Sequence, residues 1–254
     1  MDMLMKGNVA FVTGGGNGIG KATAHALSAE GVSVAVADLD SGWANSVAEE
    51  VTRAGGDALA VTVDVTDEES VQRAIDETAS HFGRLDHLVL CAGVSGLFGR
   101  TIDDIAAREW DQLFAVNVRG QWLPVKWALP LLRESPNPSV VIVASDSAVV
   151  ASPLHVPYCT SKGALIMLVR SMAVDLRADN IRVNCVCPSV VNTRMPKNDI
   201  GLGDDAVFDD SFPVHEPEDI ANYLLWLSSP KTKTISGHAL LADFGYSGQS
   251  SFPF

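Results

Sequence analysis

Tyr158 and Lys162 stand four residues apart, the spacing that puts two side chains on one face of a helix. A phenol with a pKa of about 10 is a poor base near neutrality, and a nearby ammonium favours its ionised form. Lowering that pKa by about three units takes about 4 kcal/mol, within reach of a close, partly desolvated pair aided by one further positive charge. Such a pair can move a proton. The same spacing also occurs on ordinary solvated helix faces, so its meaning depends on its surroundings.

The run Thr13-Gly14-Gly15-Gly16-Asn17-Gly18-Ile19-Gly20 joins an apolar stretch, Val9 to Val12, to a helical pattern. Glycines allow a tight turn and a close backbone approach to a pyrophosphate, and a helix start offers the anion free N–H groups and a positive dipole end. No Gly-Lys-Ser/Thr pair follows, which excludes an NTPase phosphate loop. Asp38 closes the second apolar run eighteen residues beyond Gly20. There a carboxylate accepts hydrogen bonds from adenosine ribose hydroxyls and repels a 2′-phosphate. The alternative is a strand-end Asp that caps the next turn. Asn17 and Leu39 bring no positive charge to the phosphate position, and Lys21 is expected to point away along its helix. These residues favour NAD over NADP.

The elements that must position these groups alternate along the chain. Strands are predicted at Val9–Val12, Val32–Ala37, Ala58–Val63, Leu85–Leu90, Ser139–Ala144, Ile181–Val186 and His238–Ala242. Helices are predicted at Gly18–Glu30, Asn45–Arg53, from Asp67 onward, Ile102–Ala107, Trp110–Arg133, Tyr158–Leu176 and Pro217–Ser228. Strands apolar throughout and separated by helices imply an α/β fold: a doubly wound, Rossmann-like parallel sheet covered on both faces. No repeat or linker divides the 254 residues, so the whole chain, 1–254, is expected to form a single dinucleotide-binding and catalytic domain. Asn192 to Glu216 is the longest irregular stretch and is expected to form a lid over a ligand cleft, with a surface loop as the alternative.

Composition narrows the class. Apolar residues make up 47% and charged residues 19%, enough for a large core. Eighteen Lys and Arg against 31 Asp and Glu give a formal charge of −13, which disfavours a nucleic-acid partner. Cys91, Cys159, Cys185 and Cys187 are too few for a secreted disulfide scaffold. The six histidines show no pair at ligand spacing, so no metal site is expected. The N-terminus lacks a signal-type pattern, and no apolar run approaches the ~20 residues of a membrane span, so a soluble cytoplasmic protein is expected.

In combination these motifs resemble the short-chain dehydrogenase/reductase family, in its compact single-domain branch, from about Lys6 to Gly245. The family's Thr-Gly-x-x-x-Gly-x-Gly is met by Thr13, Gly14, Gly18 and Gly20. Asp64-Val65 is similar to the pair that meets the adenine. Asn117 in Val116-Asn117-Val118 and Ser145, thirteen residues before Tyr158, match the catalytic Asn and Ser. Asn184 to Thr193 resembles the nicotinamide-side loop. The resemblance implies that Tyr158 is the general base in alcohol oxidation and the acid in ketone reduction. It implies that Lys162 lowers the Tyr158 pKa and bonds the nicotinamide ribose. Ser145 would hold the substrate oxygen, and Asn117 a water linking Lys162 to solvent. The implied cofactor contacts are Gly14, Asn17, Gly18, Ile19, Gly20, Asp38, Leu39, Asp64, Val65, Cys91, Ala92, Gly93, Tyr158, Lys162, Pro188, Val191 and Thr193. The chain departs from the family at Leu90-Cys91, where Asn-Asn is usual, at Ser189, where Gly follows the proline, and at Phe244, where the closing Asp-Gly-Gly has Gly.

The substrate side is expected to draw on Ser145, Ser147, Leu154, His155, Tyr158, Ser189 and Met195, with apolar contributions from Leu97, Phe98, Val149 and Val150. His155 is either a polar contact or an exposed loop residue, and Ser147 is the competing serine. Arg194 and Lys197 are the candidates for meeting a substrate anion. The expectation is an NAD-dependent dehydrogenase or reductase for an uncharged, moderately hydrophobic secondary alcohol or ketone, assembled as a homotetramer. The alternatives are a 3-oxoacyl-thioester reductase using NADPH and a dinucleotide-sensing scaffold without turnover.

Overall fold

The computed structural model describes residues 2–96, 98–199, 201, 203, 208 and 212–248. Among them, seven strands form one parallel sheet in the order β3-β2-β1-β4-β5-β6-β7. They are β1 (Val9–Thr13), β2 (Ser33–Asp38), β3 (Ala58–Thr62), β4 (His87–Leu90), β5 (Ser139–Val143), β6 (Arg182–Pro188) and β7 (Ala239–Ala242). The helices are α1 (Gly18–Ala29), α2 (Ser41–Arg53), α3 (Glu68–Phe82), α4 (Ala107–Phe114), α5 (Gly120–Glu134), α6 (Val156–Asp175), α7 (Arg194–Asp199) and α8 (Pro217–Ser228).

Strand side chains alternate between two cores. Phe11, Leu88, Leu90, Val140 and Ile142 enter one core, completed by Leu123, Leu165 and Val169 from α5 and α6. Val12, Val34, Val89 and Val141 enter the other, completed by Leu27, Val47, Ile220 and Leu224 from α1, α2 and α8. Both faces are covered, which is why these strands read as unbroken apolar runs. The strand order reverses between β1 and β4, and in such sheets the crevice beyond the carboxyl ends at this reversal takes the ligand.

Three elements differ from the sequence expectation. Helix α2 begins at Ser41 rather than Asn45, because Asp40 Oδ1 accepts from the Gly42 and Trp43 amides at 2.8 and 3.1 Å. The run Ile102–Ala107 holds only a short 3₁₀ turn, Ile102–Asp104. The helix expected across Trp110–Arg133 starts at Ala107 and is broken by a π-helical turn, Ala115–Arg119. Pro124 lacks the N–H that would bond the Gly120 carbonyl, and its ring crowds that oxygen, so the ladder is loosened where the π turn ends. Within the expected lid, Arg194–Asp199 is helical and His215 pairs with Val191. Much of the remainder of that segment, with Leu97, lies outside the described residues.

Candidate active site

The glycine turn leaves β1 and enters α1 at the sheet reversal. Gly14 has φ +62°, and a Cβ there would lie 2.9 Å from the Ala92 amide nitrogen. A Cβ on Gly20 would lie 2.1 Å from the Gly14 carbonyl oxygen. Neither position tolerates a side chain, so the turn folds tightly on itself and against the segment after β4. Asn17 caps α1, its Oδ1 accepting from the Gly18 amide at 2.6 Å. Asp38 ends β2 beside the turn: Oδ2 accepts from Gly16 N at 2.9 Å and Oδ1 from Asp40 N at 3.1 Å. It caps the turn after its strand, the alternative the sequence left open, and ties the glycine turn to the end of β2. Lys21 pairs with Glu50 at 2.8 Å and still lines a groove beside Asn17 and Gly18.

Not every expected adenosine-side contact is arranged alike. Leu39 is exposed beyond Asp38. Asp64 Oδ1 accepts from both Thr66 N and Thr66 Oγ1, at 2.8 and 2.7 Å. Val65 packs into the core against Gly120, leaving its backbone as the group a cofactor can reach.

The loop after β4 is fastened on three sides. Cys91 N and Ala92 N donate to Thr13, at 3.1 Å to O and 3.3 Å to Oγ1. Gln121 Nε2 donates to Ala92 O at 2.6 Å. Gln121 is fully buried and supplies, from α5, an amide beside the position where Cys91 removes one. Sequence reasoning missed it; its place one helical turn after Asn117 was the available signal. Burial pushes the Cys91 thiol up to about 12, so it is not a nucleophile near neutrality. Gly93 brings the backbone up to the catalytic candidates: a Cβ there would touch Asn117 Oδ1 at 3.5 Å and Lys162 Nζ at 3.6 Å.

The catalytic candidates converge on this loop. Tyr158 and Lys162 occupy the first turns of α6, with Lys162 Nζ 5.5 Å from the phenol ring centroid. Lys162 Nζ donates to Val143 O at 3.1 Å. Asn117 sits in the π turn; its Oδ1 accepts from Val94 N at 2.9 Å, and its Nδ2 donates to Val94 O at 2.8 Å and Ser161 Oγ at 3.1 Å. Ser161 Oγ donates in turn to Tyr158 O at 2.7 Å. Ser145 follows β5; its hydroxyl faces Tyr158 and donates to Asp146 Oδ1 at 3.1 Å, while Ser147 N donates to Ser145 Oγ at 3.1 Å. The competing Ser147 turns its own hydroxyl to Ser152, at 3.4 Å.

The electrostatics differ from the expectation in one respect. Burial pushes the Tyr158 phenol up to about 12; Ser145 opposes this, and Asp146 and Asp199 add to it. Burial also brings the Lys162 ammonium down to about 8. The protein's own groups therefore do not make the phenol acidic: desolvation dominates, and the Lys162 ammonium is directed at Val143 O.

On the substrate side His155 is buried, stacked on Tyr158 with centroids 4.5 Å apart, and its Nε2 meets Ser95 O at 3.0 Å. It is not a loose loop residue. Ser95 Oγ donates to Asp199 Oδ1 at 2.6 Å, tying α7 to the loop after β4. Asp146 and Asp199 were missed from the sequence, where acidic residues are too common to single out. Leu154 has φ +56° and is half-exposed, as is Phe98, which meets His155 edge-on. Met195 lies on α7. Pro188 ends β6, Ser189 N donates to Ala242 O at 2.9 Å, and Thr193 N donates to Val191 O at 2.7 Å. Ser189 Oγ is buried and has no hydrogen-bond partner among the described residues. Phe244 takes φ +56° and stacks on His215 at 4.1 Å.

Among the described residues, no group of three or more His, Cys, Asp or Glu side chains is arranged to hold a metal, and no helix is long and apolar enough to cross a membrane. The glycine turn at the start of α1 and the Asp38 carboxylate beside it fit a nicotinamide dinucleotide.

Comparison with known proteins agrees with this geometry. A family model described as enoyl-(acyl carrier protein) reductase matches residues 14–247. The chain is 34% identical over 251 residues to secoisolariciresinol dehydrogenase of Forsythia intermedia, covering 96% of this chain and 90% of that one. It is 33% identical over 250 residues to D-threitol dehydrogenase of Mycolicibacterium smegmatis, covering 96% and 95%. A crystal structure of a dehydrogenase/reductase from Sinorhizobium meliloti superposes with a TM-score of 0.87 at 31% identity, covering 96% of both chains. The sheet, the glycine turn and these relatives together establish that the chain belongs to the short-chain dehydrogenase/reductase family of oxidoreductases, whose fold binds a nicotinamide dinucleotide.

Proposed function

We propose that the protein is an NAD(H)-dependent oxidoreductase acting on an uncharged, moderately hydrophobic secondary alcohol or its ketone. The observation that carries this is the convergence of Tyr158, Lys162, Ser145 and Asn117 beside the glycine turn, with one carboxylate, Asp38, at the ribose end. When bound, the nicotinamide supplies the hydride acceptor or donor and, oxidised, a positive charge next to the phenol. Tyr158 takes the hydroxyl proton in oxidation and returns it in reduction. Lys162 holds the nicotinamide ribose and favours the phenolate. Ser145 donates to the substrate oxygen and stabilises charge developing there. Asn117 braces the Val94 backbone and keeps the route from Lys162 to solvent in register.

Asp146 and Asp199 beside Tyr158 disfavour an anionic substrate. Exposed Phe98, Val149, Val150 and Leu154 offer apolar contact. The names of two relatives, a D-threitol and a secoisolariciresinol dehydrogenase, support alcohol oxidation. A 3-oxoacyl-thioester reductase using NADPH is the second reading; the matching family model's description shares its acyl-thioester substrate class but names reduction of an enoyl bond, and Asp38 opposes it.

The test is NADH absorbance with a panel of secondary alcohols, diols and ketones, run in parallel with NADP(H). Turnover with NAD(H) that disappears in Tyr158→Phe supports the proposal. Tighter NADPH binding with thioester turnover supports the second reading. Dinucleotide binding without turnover on the whole panel points to a sensing scaffold.

A further inference from the structure

The segment after β6 straddles the glycine turn. A Cβ on Gly18 would lie 3.0 Å from Thr193 Cγ2, so Thr193 rests on one side of the turn. On the other side, a Cβ on Gly16 would lie 2.6 Å from Trp43 Cβ, so the indole leaves α2 directly against the turn. Arg194, the residue after Thr193, closes the span: its guanidinium carbon lies 5.1 Å from the centre of the Trp43 ring. The sequence had made Arg194 a candidate for a substrate anion; here its guanidinium lies over the Trp43 ring. A groove of about 610 Å³ opens here, lined by Asn17, Gly18, Lys21, Thr193, Arg194 and Lys197 among others, with the Lys21 ammonium paired to Glu50.

We infer that Arg194, held on the face of Trp43, binds a phosphate of the dinucleotide. Three features carry this. A guanidinium stacked on an indole has lost much of its rotameric freedom before any ligand arrives, so less is lost when it meets an oxyanion. It lies over the turn whose glycines and helix start are built for phosphate. The nearby cation of α1, Lys21, is committed to Glu50, which also takes His25 at 3.1 Å. In a chain of net charge −13, with Asp38 on the same rim, a cation at this point offsets a local field that repels the cofactor. The phosphate has two possible sources, the pyrophosphate common to both dinucleotides and the 2′-phosphate of NADP(H).

Calorimetric titration of NADH and NADPH into the wild type, Arg194→Ala and Trp43→Leu separates these cases, independently of turnover. Arg194→Ala is expected to weaken binding about tenfold or more, the loss typical of a charged hydrogen bond. Trp43→Leu is expected to weaken it in the same direction by less, and both variants to flatten its salt dependence. Equal losses for the two dinucleotides assign the pyrophosphate; a loss confined to NADPH assigns the 2′-phosphate. Unchanged affinity for both in Arg194→Ala overturns the inference, as does a loss in Trp43→Leu alone. A wild type that binds neither dinucleotide overturns it together with the cofactor assignment.

Discussion

Tyr158 and Lys162 share one helix face, and desolvation acts on the two in opposite directions: it takes the phenol up to about 12 and the ammonium down to about 8. Each charged form loses solvent, so each group is pushed toward neutrality. In the proposed reaction Tyr158 would regain acidity from the positive charge that an oxidised nicotinamide would supply. Tyr158→Phe is therefore expected to lower kcat by about 10²–10⁴, the usual share of general acid–base catalysis, with NADH affinity within a factor of two or so of wild type. Retention of turnover in a steady-state assay would remove Tyr158 from the mechanism.

Lys162 destabilises the fold that holds it. Its folded-state pKa lies below the ordinary lysine value, so the folded state resists protonation; the cost is complete below about pH 8 and disappears as pH rises toward 10.5. Lys162→Met is expected to raise unfolding stability at pH 7 by about 2–3 kcal/mol, less the lost bond to Val143 O, while turnover is lost. A urea melt that shows equal or lower stability contradicts this account.

Asn117 uses both ends of its amide, accepting from Val94 N and donating to Val94 O and Ser161 Oγ. Aspartate matches the shape but cannot donate, and it faces Val94 O with a charge. Asn117→Asp should cost about 2–3 kcal/mol of stability and lower kcat more than it raises the alcohol KM. An unchanged thermal midpoint would show that the π turn holds its geometry without this amide.

His87 is buried at the other end of the sheet, between Asn8 Nδ2 and Ser139 Oγ, both at 2.8 Å. Burial lowers its pKa to about 4. The folded state therefore binds fewer protons than the unfolded chain between about pH 6.5 and 4, and stability falls as pH drops through that window, by about 3 kcal/mol. Asp86, also lowered, contributes only below the ordinary carboxylate range. Melts at pH 6.5, 5.5 and 4.5 should show the loss, and His87→Gln should flatten it; parallel curves would count against His87 as its source.

Asp38 sets the expected cofactor choice. Asp38→Asn keeps an acceptor for Gly16 N and removes the charge that repels a 2′-phosphate. The ratio of NADPH to NADH affinity should rise about tenfold. A ratio that stays fixed would move the discrimination elsewhere, with Arg194 next in line.

The sequence by itself determined the sheet and the glycine turn at its reversal. Strands buried on both faces must be apolar at every position, and a turn such as Gly14–Gly20 has no room for a Cβ; both constraints are local and visible in residue type. It also determined the Tyr158–Lys162 pairing, because helical periodicity alone brings those side chains together. Only the tertiary structure decided the supporting contacts. Gln121 reaches Ala92, Asn117 reaches Val94, Asp199 reaches Ser95 and Arg194 reaches Trp43 across 23 to 151 residues of chain, distances at which spacing carries no signal. The pKa values belong to the same class: the sequence supplied a lysine near a tyrosine, but the desolvation that raises the phenol's pKa exists only once the chain has folded around it.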